Sequence, residues 1–120
     1  MARRLLEEFA AFTAAIWQRL GPLQRVLEQA AGTDPELQQL LESGEQEQLE
    51  CARGVVAAVA ATGSLRRDIL HETAADMLWV QIQPSNYQRL VEKRGLSHRA
   101  FERWHAAAMM AALLEPSGAR

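Results

Sequence analysis

The twelve residues from Glu72 to Gln83, ETAADMLWVQIQ, restrict the possible folds of this chain more than any other stretch. On a helix of 3.6 residues per turn, Glu72, Asp76 and Gln83 share one narrow strip. Ala74, Ala75, Met77, Leu78, Val80 and Ile82 cover most of the remaining circumference. A helix apolar nearly all round is normally buried, so the flanking segments must surround this one on several sides.

With 120 residues the chain can bury a core without covalent staples, as one domain spanning 1–120. Its hydrophobic share is 48% against an aromatic share of only 6%, and Ala and Leu supply much of the difference, which favours helices over strands. The expected fold class is therefore all-α, a helical bundle of about five to six helices. The single Cys51 excludes an intramolecular disulfide framework and points to a reducing compartment. Thirteen basic and 15 acidic residues give a net charge of −2, so no global field draws the chain to nucleic acid or an anionic membrane. Glu7 and Glu8 interrupt the start MARRLLEEF before any signal-peptide core, and no apolar run approaches membrane-spanning length. A cytoplasmic domain with no membrane partner is expected.

From Ala2 to Leu20, Leu5, Leu6, Phe9, Phe12, Ile16 and Leu20 recur at helical steps, and Gly21-Pro22 predicts a break or kink before a second segment to Ala30. Thr33-Asp34-Pro35-Glu36 is a helix start, with Thr33 or Asp34 as cap and Glu36 placed for a capping box with Thr33. That helix runs to Ala61-Thr62-Gly63, with a kink or break expected near Ser43-Gly44. Ser64 to Leu70 is a connection leading to the central helix. Pro84 closes or kinks that helix, and a shorter helix from Ser85 to Arg94 follows, with Tyr87, Leu90 and Val91 on one side. Gly95 ends it, Ser97 caps the last helix, and Pro116-Ser117-Gly118 lies beyond that helix.

Little here suggests catalysis. Cys51 lies mid-helix in no motif, and no glycine-rich phosphate loop or serine elbow appears, so no enzyme and no cofactor are expected. His98, Glu102 and His105 share one helical face, a pattern that suits zinc; with no fourth ligand signalled, an exposed polar face accounts for them and no metal is expected. Asn86, Gln88, Arg89, Lys93 and Arg94 are side chains of the kind that touch DNA, but Glu92 interrupts the set and the cations suit a helix C-terminus. No nucleic acid contact by this chain follows.

Apolar surface remains. The last helix gathers Ala106, Ala107, Ala108, Ala111 and Ala112 with Met109 and Met110, and small residues let helix axes approach closely. With Phe101 and Trp104 as anchors, this face is most simply a two-fold homodimer interface, the alternative being an ordinary internal core contact.

The residues from Leu65 to Leu114 also resemble a family. Glu72-Thr73-Ala74-Ala75-Asp76-Met77-Leu78-Trp79, then Pro84 and Tyr87, then Leu90-Val91-Glu92-Lys93-Arg94-Gly95-Leu96-Ser97, then Phe101-Glu102-Arg103-Trp104, are similar to the C-terminal effector and dimerisation domain of TetR-like bacterial repressors. Gly21-Pro22-Leu23 and Thr33-Asp34-Pro35-Glu36-Leu37 also resemble the same subgroup. The chain departs from the pattern at Gln83, where a serine cap is common, and at Leu70-His71, often Asp-Pro. The resemblance implies that the N-terminal DNA-binding helices are absent and that the last two helices form a four-helix dimer interface through Tyr87, Leu90, Val91, Phe101, Trp104, Ala108 and Ala112. It further implies a pocket for a small apolar or aromatic effector, lined by Phe12, Ile16, Val55, Trp79 and Gln83. The alternative is a stand-alone helical dimer acting as a protein-interaction module with a filled core.

Overall fold

A 30-residue helix, α1 (Ala2–Ala31), runs along the fold in the computed structural model, which describes residues 1–116. Ser117 and Gly118, read from the sequence as part of the segment beyond the last helix, lie outside the described residues. At 1.5 Å per residue α1 spans about 45 Å, most of the 52 Å long axis. It turns back through α2 (Pro35–Ala61), so the two make an antiparallel hairpin. Then come α3 (His71–Gln81), the short α4 (Pro84–Tyr87), which continues as a π-helical segment over Gln88–Lys93, and α5 (His98–Leu113). The fold is all-helical among the described residues. Its single β-type pairing there is a bridge between Leu65 and Leu114, flanked by Arg66 N–H donating to the Leu113 carbonyl at 2.8 Å and Glu115 N–H donating to that of Ser64 at 3.1 Å.

Local chemistry sets most helix ends. Asp34 caps α2, its carboxylate accepting from the N–H groups of Glu36 and Leu37, and Pro35 occupies the first turn where its missing N–H costs nothing. The capping box through Thr33 does not form; its hydroxyl donates back to the Ala30 carbonyl instead. Ser97 caps α5 by accepting from Ala100 N–H at 3.1 Å. Gly63 and Gly95 both stand at φ +80°, the left-handed region that favours glycine after a helix.

Three expectations are corrected. Gly21-Pro22 does not break α1. Pro22 and Gln18, four residues before it, both lie on the exposed side, so the carbonyl that loses its helical bond faces water. Gly21 lies on the buried side, where a Cβ would stand 3.2 Å from the Glu92 carboxylate, and that close approach lets Glu92 pair with Arg25. Gly44 likewise leaves α2 continuous. Finally, α3 is not enclosed all round. Ala74, Ala75, Leu78 and the following Ile82 are buried and Met77 and Trp79 partly so, but Val80 is 57% exposed.

The core divides in two. One cluster joins Leu6 and Ala10 of α1, Val56 and Val59 of α2, Leu78 of α3, and Met109 and Leu113 of α5. The second packs Ala14 and Trp17 of α1 against Tyr87 and Phe101, with Leu90, Val91 and Leu96 at its margin. Trp17 ties the second cluster to the α3 end, its indole N–H donating to the Ile82 carbonyl at 2.9 Å. Gly54, in the interior of α2, is exposed and a Cβ there would meet nothing within 4 Å. Gly54→Ala is therefore expected to stabilise the chain by about 1 kcal/mol through helix propensity alone. Urea unfolding should show a higher midpoint at unchanged slope, and a lower midpoint would mean that α2 is not helical at Gly54.

Candidate functional site

Where α1, α2 and the end of α3 meet, the helices do not close against one another. The cause is visible along the inner face of α2. Positions 45, 48, 52, 56 and 59 follow one face; Ala52, Val56 and Val59 are buried there, Gln48 is half-buried and Glu45 is exposed. Where that face turns polar, its side chains keep water or a partner within reach, and the apolar seam gives way to clefts.

Two clefts adjoin. The smaller, about 110 Å³, lies between Phe9, Phe12, Ile16 and Trp17 of α1 and Cys51 of α2, with Ile82 behind. The larger, about 350 Å³, has Leu27 of α1, Leu40 and Leu41 of α2, and Pro84 as its apolar lining. Glu28, Glu45, Gln24 and Gln83 add the polar groups. Gln48 borders both clefts. Its side-chain oxygen accepts from Gln83 Nε2 at 2.9 Å, and the same Nε2 donates to the Trp79 carbonyl at 3.0 Å. Trp79 in turn donates its indole N–H to the Glu45 carbonyl at 3.1 Å, which ties α3 to α2 beside the larger cleft.

The five residues that the resemblance assigned to a pocket are thus divided. Phe12 and Ile16 line the smaller cleft, Phe12 with 59% of its surface exposed. Gln83 lines the larger one, and Trp79 reaches it only by holding the Glu45 backbone. Val55 lines neither cleft and packs against the first core cluster. Sequence reading missed Leu27, Glu28, Leu40, Leu41, Glu45 and Gln48. The available signal was the polar interruption at Glu45 and Gln48 on an otherwise apolar helix face.

The surface of α5 is also divided. Trp104 is 45% exposed, and Ala107 and Ala111 are exposed beside the half-buried Ala108 and Ala112. Leu90 and Val91 are half-buried. Tyr87 and Phe101, assigned by the same resemblance to a dimer interface, are instead enclosed within the chain, their rings T-shaped with centroids 5.0 Å apart. They lie beneath that face and support it. The Tyr87 hydroxyl meets His98 Nδ1 at 3.0 Å, and His98 Nε2 meets the Glu102 carboxylate at 3.1 Å. Burial raises the Tyr87 pKa above its usual value, and the charges of Glu92 and Glu102 act in the same direction. With both ring nitrogens of His98 engaged, the polar face read for His98, Glu102 and His105 does not exist as a unit. His105 turns inward, 1% exposed, with Nε2 at 2.8 Å from the Gln81 carbonyl.

Of the polar side chains after Pro84, Arg89, Lys93 and Arg94 are exposed and two are engaged within the chain. Asn86 donates to the Val80 and Gln81 carbonyls and so stitches the α3–α4 joint, while Gln88 buries its amide nitrogen. Among the described residues no helix is long and apolar enough to cross a membrane. Comparison of the chain with protein-family models, with curated proteins and with solved structures yields no match.

Proposed function

We propose that this chain is the effector-sensing and dimerisation part of a TetR-like transcriptional regulator of the repressor type, with operator contacts made by an N-terminal DNA-binding domain. The observation that carries the reading is the pair of adjoining clefts at the α1–α2–α3 junction, which hold Phe12, Ile16 and Gln83 at their walls. A ligand seated there touches both arms of the hairpin and the joint that leads into α4. Such a ligand would couple its binding to the placement of α4 and α5, and coupling of this kind is what a sensor needs. The half-exposed Trp104 among small residues on α5 supports a two-fold pairing of these helices.

The dimer and the sensor are tested separately. Sedimentation equilibrium of the chain is expected to give a dimer, and Trp104→Glu with Ala108→Glu should raise its dissociation constant at least about 100-fold, since two buried like-charged pairs replace apolar contact. A wild-type chain that remains monomeric at high micromolar concentration would refute the dimer. For the sensor, a melting screen of small apolar and aromatic compounds should yield a saturable rise in Tm that Leu41→Trp, which fills the larger cleft, abolishes. The rival reading, a protein-interaction module with a filled core, predicts no such rise.

A further inference from the structure

We propose that the larger cleft takes an organic cation, a small molecule with an apolar body and one protonated or quaternary nitrogen. The proposal rests on the sensor reading and names the ligand class for that site. At about 350 Å³ the cleft lies within the range of small-molecule pockets, and Leu27, Leu40, Leu41 and Pro84 give it apolar walls. Both of its ionisable lining residues are carboxylates, Glu28 and Glu45, and no Lys, Arg or His lines it. Among the described residues neither carboxylate belongs to an ion pair; Glu28 accepts only from the neutral amide of Gln24, at 3.0 Å.

The nearest cation on α1 is already engaged, for Arg25 pairs with Glu92 on the π-helical segment. The surroundings reinforce the sign. Between Asp34 and Glu50 the chain carries Asp34, Glu36, Glu42, Glu45, Glu47 and Glu50 and no basic residue. A concave site with one sign of charge and low-dielectric walls concentrates the opposite ion. The seam between α1 and α5 provides the contrast. It has a similar volume of about 350 Å³, but Arg3 and Arg103 there accompany Glu7 and Glu102, so it selects neither sign.

Three ligand classes can be compared on these grounds. An anion would bring its charge against two carboxylates. A neutral apolar molecule would fill the walls but gain nothing from Glu28 and Glu45, both of them exposed. A cation with an apolar body satisfies both, its nitrogen between the carboxylates and its body against Leu27 and Leu41. Gln83 adds orientation. Its Nε2 is occupied by Gln48 and the Trp79 carbonyl, which leaves the side-chain carbonyl oxygen to accept from a protonated nitrogen or to meet the positive charge of a quaternary one.

The experiment compares benzyltrimethylammonium with its uncharged carbon isostere, neopentylbenzene, by calorimetry on the full chain. The cation should bind saturably and at least about tenfold more tightly than the isostere, and more weakly as salt is raised. Glu28→Gln and Glu45→Gln should each weaken the cation several-fold and leave the isostere unchanged, while Leu41→Trp should weaken both. Equal affinity of the two compounds, with Leu41→Trp weakening both, would overturn the cation assignment and leave the sensor reading intact. Cation binding indifferent to both glutamate substitutions would also overturn it. If neither compound binds, the proposal fails, and the melting screen decides the sensor reading independently.

Discussion

Phe101→Ala is expected to lower the free energy of unfolding by about 3–5 kcal/mol, the largest loss from any single truncation in this chain. Phe101 is 1% exposed and sits at the centre of a ring cluster, with centroids 5.0 Å from Tyr87, 5.1 Å from His105 and 5.7 Å from Trp104. It also packs with Ala14 and Trp17 of α1, so it joins the C-terminal helix to the longest helix in the fold. Truncation removes the transfer free energy of the ring and leaves a cavity. The cavity cannot collapse cheaply. Trp17 is held by its bond to the Ile82 carbonyl and Tyr87 by its contact with His98, so neither can swing in without losing a polar partner. Urea unfolding followed by helical circular dichroism measures the loss. Phe101→Leu, which keeps much of the volume, should cost less than half as much. A loss below about 2 kcal/mol for the alanine variant would mean that the site relaxes and that this cluster does not hold α5 to α1.

The same residue shows where sequence reading succeeds and where it stops. That Phe101 belongs on an important face of the last helix follows from its spacing with Trp104 and Ala108. Which side of that helix turns inward does not. A helix with large residues on one flank and alanines on the other can bury either, and the choice depends on what α1 presents. Trp17 and Ala14 present a socket that fits Phe101, so the ring is enclosed and Trp104 is left half outside. The helix ends were legible at Asp34, Gly63, Gly95 and Ser97, because a cap or a left-handed residue acts within a few positions of itself. Gly21-Pro22 misled for the opposite reason. Local propensity argued for a break or kink, but α1 runs on through Pro22 and is buried along one side from Ala2 to Gly21, and that tertiary packing outweighs one missing hydrogen bond.

The clefts lie at the limit of what a single sequence reveals. Phe12, Ile16 and Gln83 were reached only through a family resemblance, and the residues that give the larger cleft its charge, Glu28 and Glu45, resemble any solvated glutamate in a helix. Their meaning depends on α1 and α2 being antiparallel and splayed, which sets residues 17 positions apart against a common space. Val80 is a comparable case. Its pattern marks it as core, yet α3 has neighbours on only part of its circumference, so it remains exposed.

Acid should destabilise this chain through one imidazole. His105 is enclosed between α3 and α5, and burial holds its pKa below the usual histidine value, only partly offset by the bond from Nε2 to the Gln81 carbonyl. That carbonyl also accepts from Asn86 at 2.9 Å, so Nε2 carries the proton and Nδ1 is left without a partner. Protonation would place a charge at Nδ1 beside the rings of Phe101 and Trp104 with no acceptor. The unfolded chain has no such restriction and takes up the proton as pH falls below 6.5. The unfolded state therefore binds more protons, and stability that is complete above pH 6.5 declines as pH falls towards the folded pKa, by at most about 1.4 kcal/mol per pH unit. Asp68 and Glu72 have pKa values lowered chiefly by hydrogen bonds from Arg66 and Arg53, so their contribution persists above pH 4.5 and is lost only further down. Between pH 6.5 and 4.5 the difference between wild type and His105→Gln isolates the imidazole, because contributions common to both chains cancel. Glutamine can still donate to the Gln81 carbonyl and cannot take up the proton, so its stability curve should be the flatter of the two. Parallel curves across that window would show that His105 accepts its proton in the folded chain as readily as in the unfolded one.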